Sequence, residues 1–128
     1  MDNIQIVQQM YEAFSQKDIK KLETLCSPDI LWVQNPGFPG GGVHKGIPSI
    51  IENVYTANKN RWESFNFEKS SFLSSEDHVI VQGYYTVKAH GRENIVRAET
   101  CHIYKIKDNK IISFQQYTDT HTLWSELV

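Results

Sequence analysis

Between Trp62 and Thr118 the sequence alternates apolar and polar residues in four runs, Trp62 to Ser71, Val79 to Ala89, Ile95 to Lys107 and Lys110 to Thr118. A period of two is the mark of a strand with one face buried. The separators, Ser74-Ser75-Glu76-Asp77, His90-Gly91-Arg92-Glu93 and Lys107-Asp108-Asn109, are rich in turn-forming residues and too short for a crossover helix. Strands joined in this way pair antiparallel, so this part of the chain is committed to a meander that needs a cover on one face.

The N-terminal part supplies the cover. Ile4, Val7, Met10, Tyr11 and Phe14 fall at helical spacing, and Asp18 stands as a cap before a second short helix carrying Ile19, Leu22 and Leu25. Ser27-Pro28-Asp29 breaks the pattern, and Ile30 to Gln34 reads as a strand ending at Asn35-Pro36. The stretch PGFPGGGVHKG, residues 36 to 46, reads as an irregular loop. A third helix is expected from Pro48, suited to its first turn, to about Asn60, and Asp119 is placed to cap a terminal helical turn over Thr120 to Leu127. Three helices, a strand and a four-stranded meander describe one α+β domain spanning residues 1–128. Its curved, mainly antiparallel sheet and three N-terminal helices form a cone, with the Gly-Pro loop over the mouth.

Charge and cysteine content narrow the function classes. Thirteen Lys and Arg against 15 Asp and Glu, with no basic run longer than Lys20-Lys21, leave no electrostatic footprint for nucleic acid. The N-terminus lacks a basic segment followed by an apolar stretch, and no window has the apolar length of a membrane span, so a cytoplasmic location and no membrane partner are expected. Two cysteines, Cys26 and Cys101, are read as reduced packing residues. The five histidines show no zinc spacing, and neither a metal nor a cofactor is expected.

The order helix, helix, strand, Gly-rich loop, helix, meander resembles the nuclear transport factor 2-like superfamily, and more closely its SnoaL-like, ketosteroid isomerase-related branch, with its cystatin-like α+β barrel. The likeness is carried by IVQQMYEAFSQKDIKKLETLCSPDILW at 6 to 32, GGGVHKGIPSIIENV at 41 to 54 and AETCHIYKIKDNKIISFQQYTDT at 98 to 120. The resemblance implies one deep, largely apolar pocket for a small hydrophobic, carbonyl-bearing or cyclic molecule. Isomerases, cyclases, lyases and non-catalytic binders all use this fold, so the site has to decide.

Period two puts Thr100, His102, Tyr104 and Ile106 on one face of their strand and Ile112, Phe114, Gln116 and Thr118 on one face of the next. By resemblance these faces line the cone. The aspartate that a SnoaL-like cyclase carries on the last strand falls on Gln116, and an amide cannot exchange the catalytic proton. The carboxylate base of a ketosteroid isomerase falls on Gln34 or Asn35, its oxyanion acid on His102 and its oxyanion tyrosine beside Tyr11. His102 is open to two readings, a hydrogen-bonded core residue or a neutral imidazole that polarises a carbonyl or acts as general base near pH 7. Asp119 is the remaining carboxylate, a helix cap by its context and otherwise a catalytic candidate with His102 and Gln116. Trp32, Phe38, Tyr55, Trp62, Tyr104 and Phe114 are the candidate wall, with Tyr11 a second donor. Phe14, Gln34, Asn35 and Thr118 complete the candidate ligand contacts. His44 is expected in solvent on the loop. The opposite sheet face, with Cys101, Ile103, Ile111 and Tyr117, suits a homodimer.

Overall fold

The computed structural model describes residues Met1–Val128. Helix α1 (Asn3–Ser15) opens with a capping box, in which the Gln5 backbone N–H donates to Asp2 Oδ1 at 2.8 Å and the Asp2 N–H donates to Gln5 Oε1 at 3.0 Å. Helix α2 (Ile19–Leu25) is capped by Asp18, as its sequence predicts. Together they bury Ile6, Val7, Met10, Leu22 and Leu25 against the sheet.

The sheet has six strands, β1 (Cys26–Gln34), β2 (Gly42–Lys45), β3 (Ser64–Ser75), β4 (His78–Lys88), β5 (Val96–Lys107) and β6 (Lys110–Thr118), in the order β2-β1-β6-β5-β4-β3. The meander is antiparallel as expected, and the β1–β6 pair is parallel. One expectation is corrected: residues 42–45 are not loop but β2, an edge strand antiparallel to β1, with His44 half-buried opposite Trp32. Gly-rich sequence concealed it, because its pairing comes from β1 and not from its own side chains. Where Ser27-Pro28-Asp29 interrupts β1, its ladder with β6 lapses and resumes at Leu31.

The third helix is one segment in three parts, α3 (Ile47–Ile50), a π-helical stretch Ile51–Thr56 and α4 (Ala57–Arg61). Pro48 stands in its first turn. A π turn inserts a residue and re-aims everything after it. Helix α5 (Thr120–Leu127) closes the chain, with Leu123 fully buried against Phe38 and Trp62. No helix is long and apolar enough to cross a membrane.

Two β-bulges set the facing of the sheet. In β6, Ser113 opposes Lys105 but Ile111 opposes Ile106, so Ile112 is the extra residue and parity reverses there. Ile111, expected on the outer face, is therefore buried in the core, and Ile112 is displaced from the inner row. In β3, Ser70 is the extra residue between Lys69, opposite Gly83, and Ser71, opposite Gln82.

Candidate functional site

Register assembles the site from successive inward rows of the sheet. Trp32, Phe114, Tyr104 and Val79 sit side by side across β1, β6, β5 and β4. This row is a floor of packed rings, with Trp32 and Phe114 stacked at 3.8 Å between centroids. One step along, Gln116, His102 and Val81 are aligned across β6, β5 and β4, which brings the two candidate residues into direct cross-strand register. Above these rows lies a cavity of about 490 Å³, within the usual range for a small-molecule pocket. Its wall combines aromatic rings, from Tyr11 of α1, Tyr55 and Trp62 of the helical segment, and Phe65, Phe67 and Tyr85 of β3 and β4, with polar and charged side chains such as Asn58, Lys59, Glu63 and Glu68.

His102 is 5 % exposed and hydrogen-bonded at both ring nitrogens, Nδ1 to the Tyr11 hydroxyl at 2.8 Å and Nε2 to the Tyr85 hydroxyl at 2.7 Å. The direction of these bonds follows from the far end of the chain. The Asn35 backbone N–H donates to Gln116 Oε1 at 3.0 Å, which leaves Gln116 Nε2 to donate to the Tyr85 oxygen at 2.7 Å. Tyr85, having accepted there, gives its own proton to His102 Nε2, and His102 passes an Nδ1–H to Tyr11. Every step then has one donor and one acceptor, and such one-way chains strengthen each member. The Tyr11 proton is left to seek an acceptor in the cavity or at the Tyr104 hydroxyl, which is buried without a partner.

Burial, assisted by the positive charge of Lys69, pushes the His102 pKa down to about 3. The ring is therefore neutral at physiological pH and is not a base poised near 7. Burial raises the Tyr11 and Tyr85 hydroxyls above their ordinary range, with the Gln116 hydrogen bond opposing the rise at Tyr85. Both remain protonated donors. What the arrangement can do is deliver a polarised hydrogen bond from Tyr11 to an oxygen in the cavity.

Of the sequence-predicted residues, Tyr11, Trp32, Gln34, Tyr55, Trp62, His102 and Phe114 line the cavity. Gln34 is buried and accepts from Trp32 Nε1 at 3.2 Å, while the Trp62 indole N–H is buried without a partner. Gln116 acts from behind the wall, through Tyr85. Phe14 stacks on Tyr55 at 4.5 Å, and Tyr104 lies in the floor, both outside the lining. Asn35 contributes only its backbone, its side chain donating to the Pro36 carbonyl. Thr118 hydrogen-bonds Thr100 at 2.8 Å, away from the cavity.

The catalytic alternative for Asp119, the wall role of Phe38 and the loop over the mouth are corrected. Asp119 is the exposed cap its context predicts, accepting from the Thr122 N–H at 3.1 Å and from the Thr122 hydroxyl at 2.6 Å, and does not face the cavity. Its register, one residue past the inward Thr118, sends it outward. Phe38 is buried in a second core cluster, because its loop is held down by Arg61 Nη1 on the Pro39 carbonyl and Trp124 Nε1 on the Gly37 carbonyl. None of residues 36–46 lines the cavity, so this loop does not cover it.

Sequence reasoning passed over Tyr85, Phe67 and Lys69. Tyr85 shares parity with Val79, Val81 and Val87, and a polar-tipped ring in an apolar row was the available signal. Lys69 shares parity with Phe65 and Phe67, and it was legible in the same way. No group of three or more His, Cys, Asp or Glu side chains is gathered to hold a metal ion.

Comparison with known proteins agrees with this architecture. An NTF2-like protein of Burkholderia thailandensis superposes with a TM-score of 0.88 at 25% identity, over 98% of this chain and 96% of that one. TerC, crystallised with polyporic acid, gives 0.84 at 21% identity over 98% and 97%. IdmH of Streptomyces antibioticus, described as a candidate polyketide cyclase, gives 0.72 at 14% identity over 96% of each chain. No curated protein matches the sequence. The SnoaL-like domain model, however, matches residues 7–114, from the first turns of α1 to the Phe114 floor of the cavity. With that span matched and an NTF2-like fold around it, the chain belongs to the SnoaL-like family of the NTF2-like superfamily.

Proposed function

We propose that the cavity binds a small planar molecule with a ring carbonyl, and that Tyr11 donates a hydrogen bond to that carbonyl oxygen. Behind Tyr11, the His102–Tyr85–Gln116 chain holds the donor in place and increases its polarity. A carbonyl polarised in this way loses an α-proton more readily to solvent or to one of the exposed lining carboxylates, Glu63 or Glu68, which is the first step of a cofactor-free isomerisation or cyclisation. The observation that carries the reading is the unbroken hydrogen-bond chain from the Asn35 backbone to Tyr11 at the cavity wall, which the matching of donors to acceptors directs toward Tyr11. His102 serves here as a positioning residue and not as the base.

A second reading, a binder without catalysis, is favoured by the lack of a buried carboxylate within the site. The cyclase aspartate position is Gln116, and the two carboxylates of the lining, Glu63 and Glu68, are both exposed, Glu63 being held below the ordinary carboxylate range by its ion pair with Lys88 at 2.8 Å. The two readings part in α-deuterium exchange of cyclic aryl ketones in D2O, followed by NMR together with binding. Catalysis predicts accelerated exchange that falls about 100-fold in Tyr11→Phe. Tyr11-dependent binding with exchange no faster than in buffer establishes the binder, and a cavity that holds no aryl ketone overturns both.

The proposal includes a homodimer through the outer sheet face, where Tyr117 is 52 % exposed beside half-buried Cys101 and Ile103. Sedimentation velocity is expected to give a dimer that Tyr117→Glu converts to monomer. A wild-type monomer at micromolar concentration would remove this part of the reading.

A further inference from the structure

The wall of the cavity carries two lysines, Lys59 and Lys69, and of these Lys69 lies over the ring of Tyr11, where the hydrogen-bond chain ends. Strand β3 sends Phe65, Phe67 and Lys69 toward the cavity in succession, and the bulge at Ser70 follows at once. The strand can close in on β4 at this point because residue 83 is glycine: a Cβ there would stand 2.0 Å from the Glu68 carbonyl oxygen. Lys69 Nζ lies 4.6 Å from the centroid of the Tyr11 ring and 5.6 Å from that of Phe67. It borders both the cavity and the shallow groove outside it, at the rim where Tyr11 also sits.

This cation has no carboxylate partner. The four ion pairs of the protein leave Lys69 out. Glu68 next to it also borders the cavity and its charge is felt at Lys69, but it lies on the opposite parity of the strand and forms no ion pair with it, and Glu12 across the groove is instead contacted by Gln16 Nε2 at 3.4 Å. The aromatic faces hold the ammonium where its field reaches His102, and that same field favours negative charge on any ligand oxygen near Tyr11.

We propose that Lys69 is a specificity-determining residue that selects ligands bearing an ionised oxygen, a carboxylate, enolate or phenolate on a planar ring system, and holds that oxygen jointly with the Tyr11 hydroxyl. The assignment rests on the ligand-binding reading above and deepens it. If the bound molecule enolises, the charge that appears on its oxygen is opposed by Lys69 without any proton leaving the lysine, so the cation favours the enolate over the ketone.

The test is calorimetric binding of 2-naphthoate and 2-acetylnaphthalene, which share a ring system and a carbonyl at the same carbon but differ in charge. The wild type is expected to bind naphthoate about fivefold or more tightly than the ketone, with the preference shrinking as ionic strength rises. Lys69→Met keeps the aliphatic stem over the rings and is expected to bring the ratio close to one. Equal affinities in the wild type, or a preference that survives Lys69→Met, overturn the assignment while ketone binding that depends on Tyr11 leaves the cavity reading standing. Failure of the wild type to bind either probe overturns both together.

Discussion

Acidification from pH 7 to pH 3 is expected to remove on the order of 4–5 kcal/mol of stability through His102 alone. In the unfolded chain the imidazole takes up a proton near its ordinary value of about 6.5. In the folded protein burial and Lys69 hold it neutral down to about pH 3. Across that window the unfolded state binds the extra proton, so the stability present above the unfolded value is lost progressively as pH falls. His102→Gln has no proton to gain. Compared by urea denaturation, the wild type should lose far more stability than the variant between pH 7 and pH 4. Glu63 and Asp119, whose carboxyls sit below their ordinary range, also lose stabilisation in acid, but they are common to both proteins and cancel in the difference. Parallel pH curves for the two proteins would show that His102 protonates in the folded state and would break the one-way chain.

The reason one side chain weighs so much is visible in how the sheet assembles it. Strand parity is a local property, so the sequence places His102 and Gln116 on inward faces without knowledge of the rest, and the hairpin at Asp108-Asn109 sets them opposite each other. What each one touches is not local. Tyr85 reaches both from the neighbouring strand β4, four residues along from Val81, the residue that pairs with His102, and Tyr11 arrives from a helix 91 residues away in sequence. Period-two reading fails where the backbone inserts a residue, as at Ile112, which moved Ile111 inward, and at Ser70, which lets Phe72 take up the inward role after Lys69. The π-helical stretch Ile51–Thr56 has no Gly or Pro to announce it, yet it aims Val54 and Tyr55 into the cavity. The capping residues Asp18 and Asp119 were legible because a cap needs only its own next three residues.

Gln116→Glu is expected to produce the opposite pH dependence at the same site. Gln116 is 1 % exposed and serves as acceptor for the Asn35 N–H and donor to Tyr85. Once ionised, glutamate keeps the shape and the first bond but removes the donor, so Tyr85 must turn its proton toward the new carboxylate. His102 Nε2 then loses its donor, and the ring has to shift its proton from Nδ1 to Nε2, which reverses the chain and turns the Tyr11 proton inward, away from the cavity. A carboxylate buried beside neutral partners is costly, about 3–5 kcal/mol where the charge is left uncompensated, so the folded state favours its protonated form. Its folded pKa therefore stands above the ordinary value of about 4.3. The variant should match the wild type in acid and fall behind as pH rises through that value, the reverse of the His102 effect. Above the variant's folded pKa, imidazole nitrogen shifts would report the tautomer directly, Nδ1–H in the wild type and Nε2–H in the variant, whereas below it the protonated acid still donates to Tyr85 and the Nδ1–H form persists. A destabilisation that stays constant with pH, or a tautomer that does not change, would mean that Gln116 supports the site by shape alone and that its amide does not direct the hydrogen bonds leading to Tyr11.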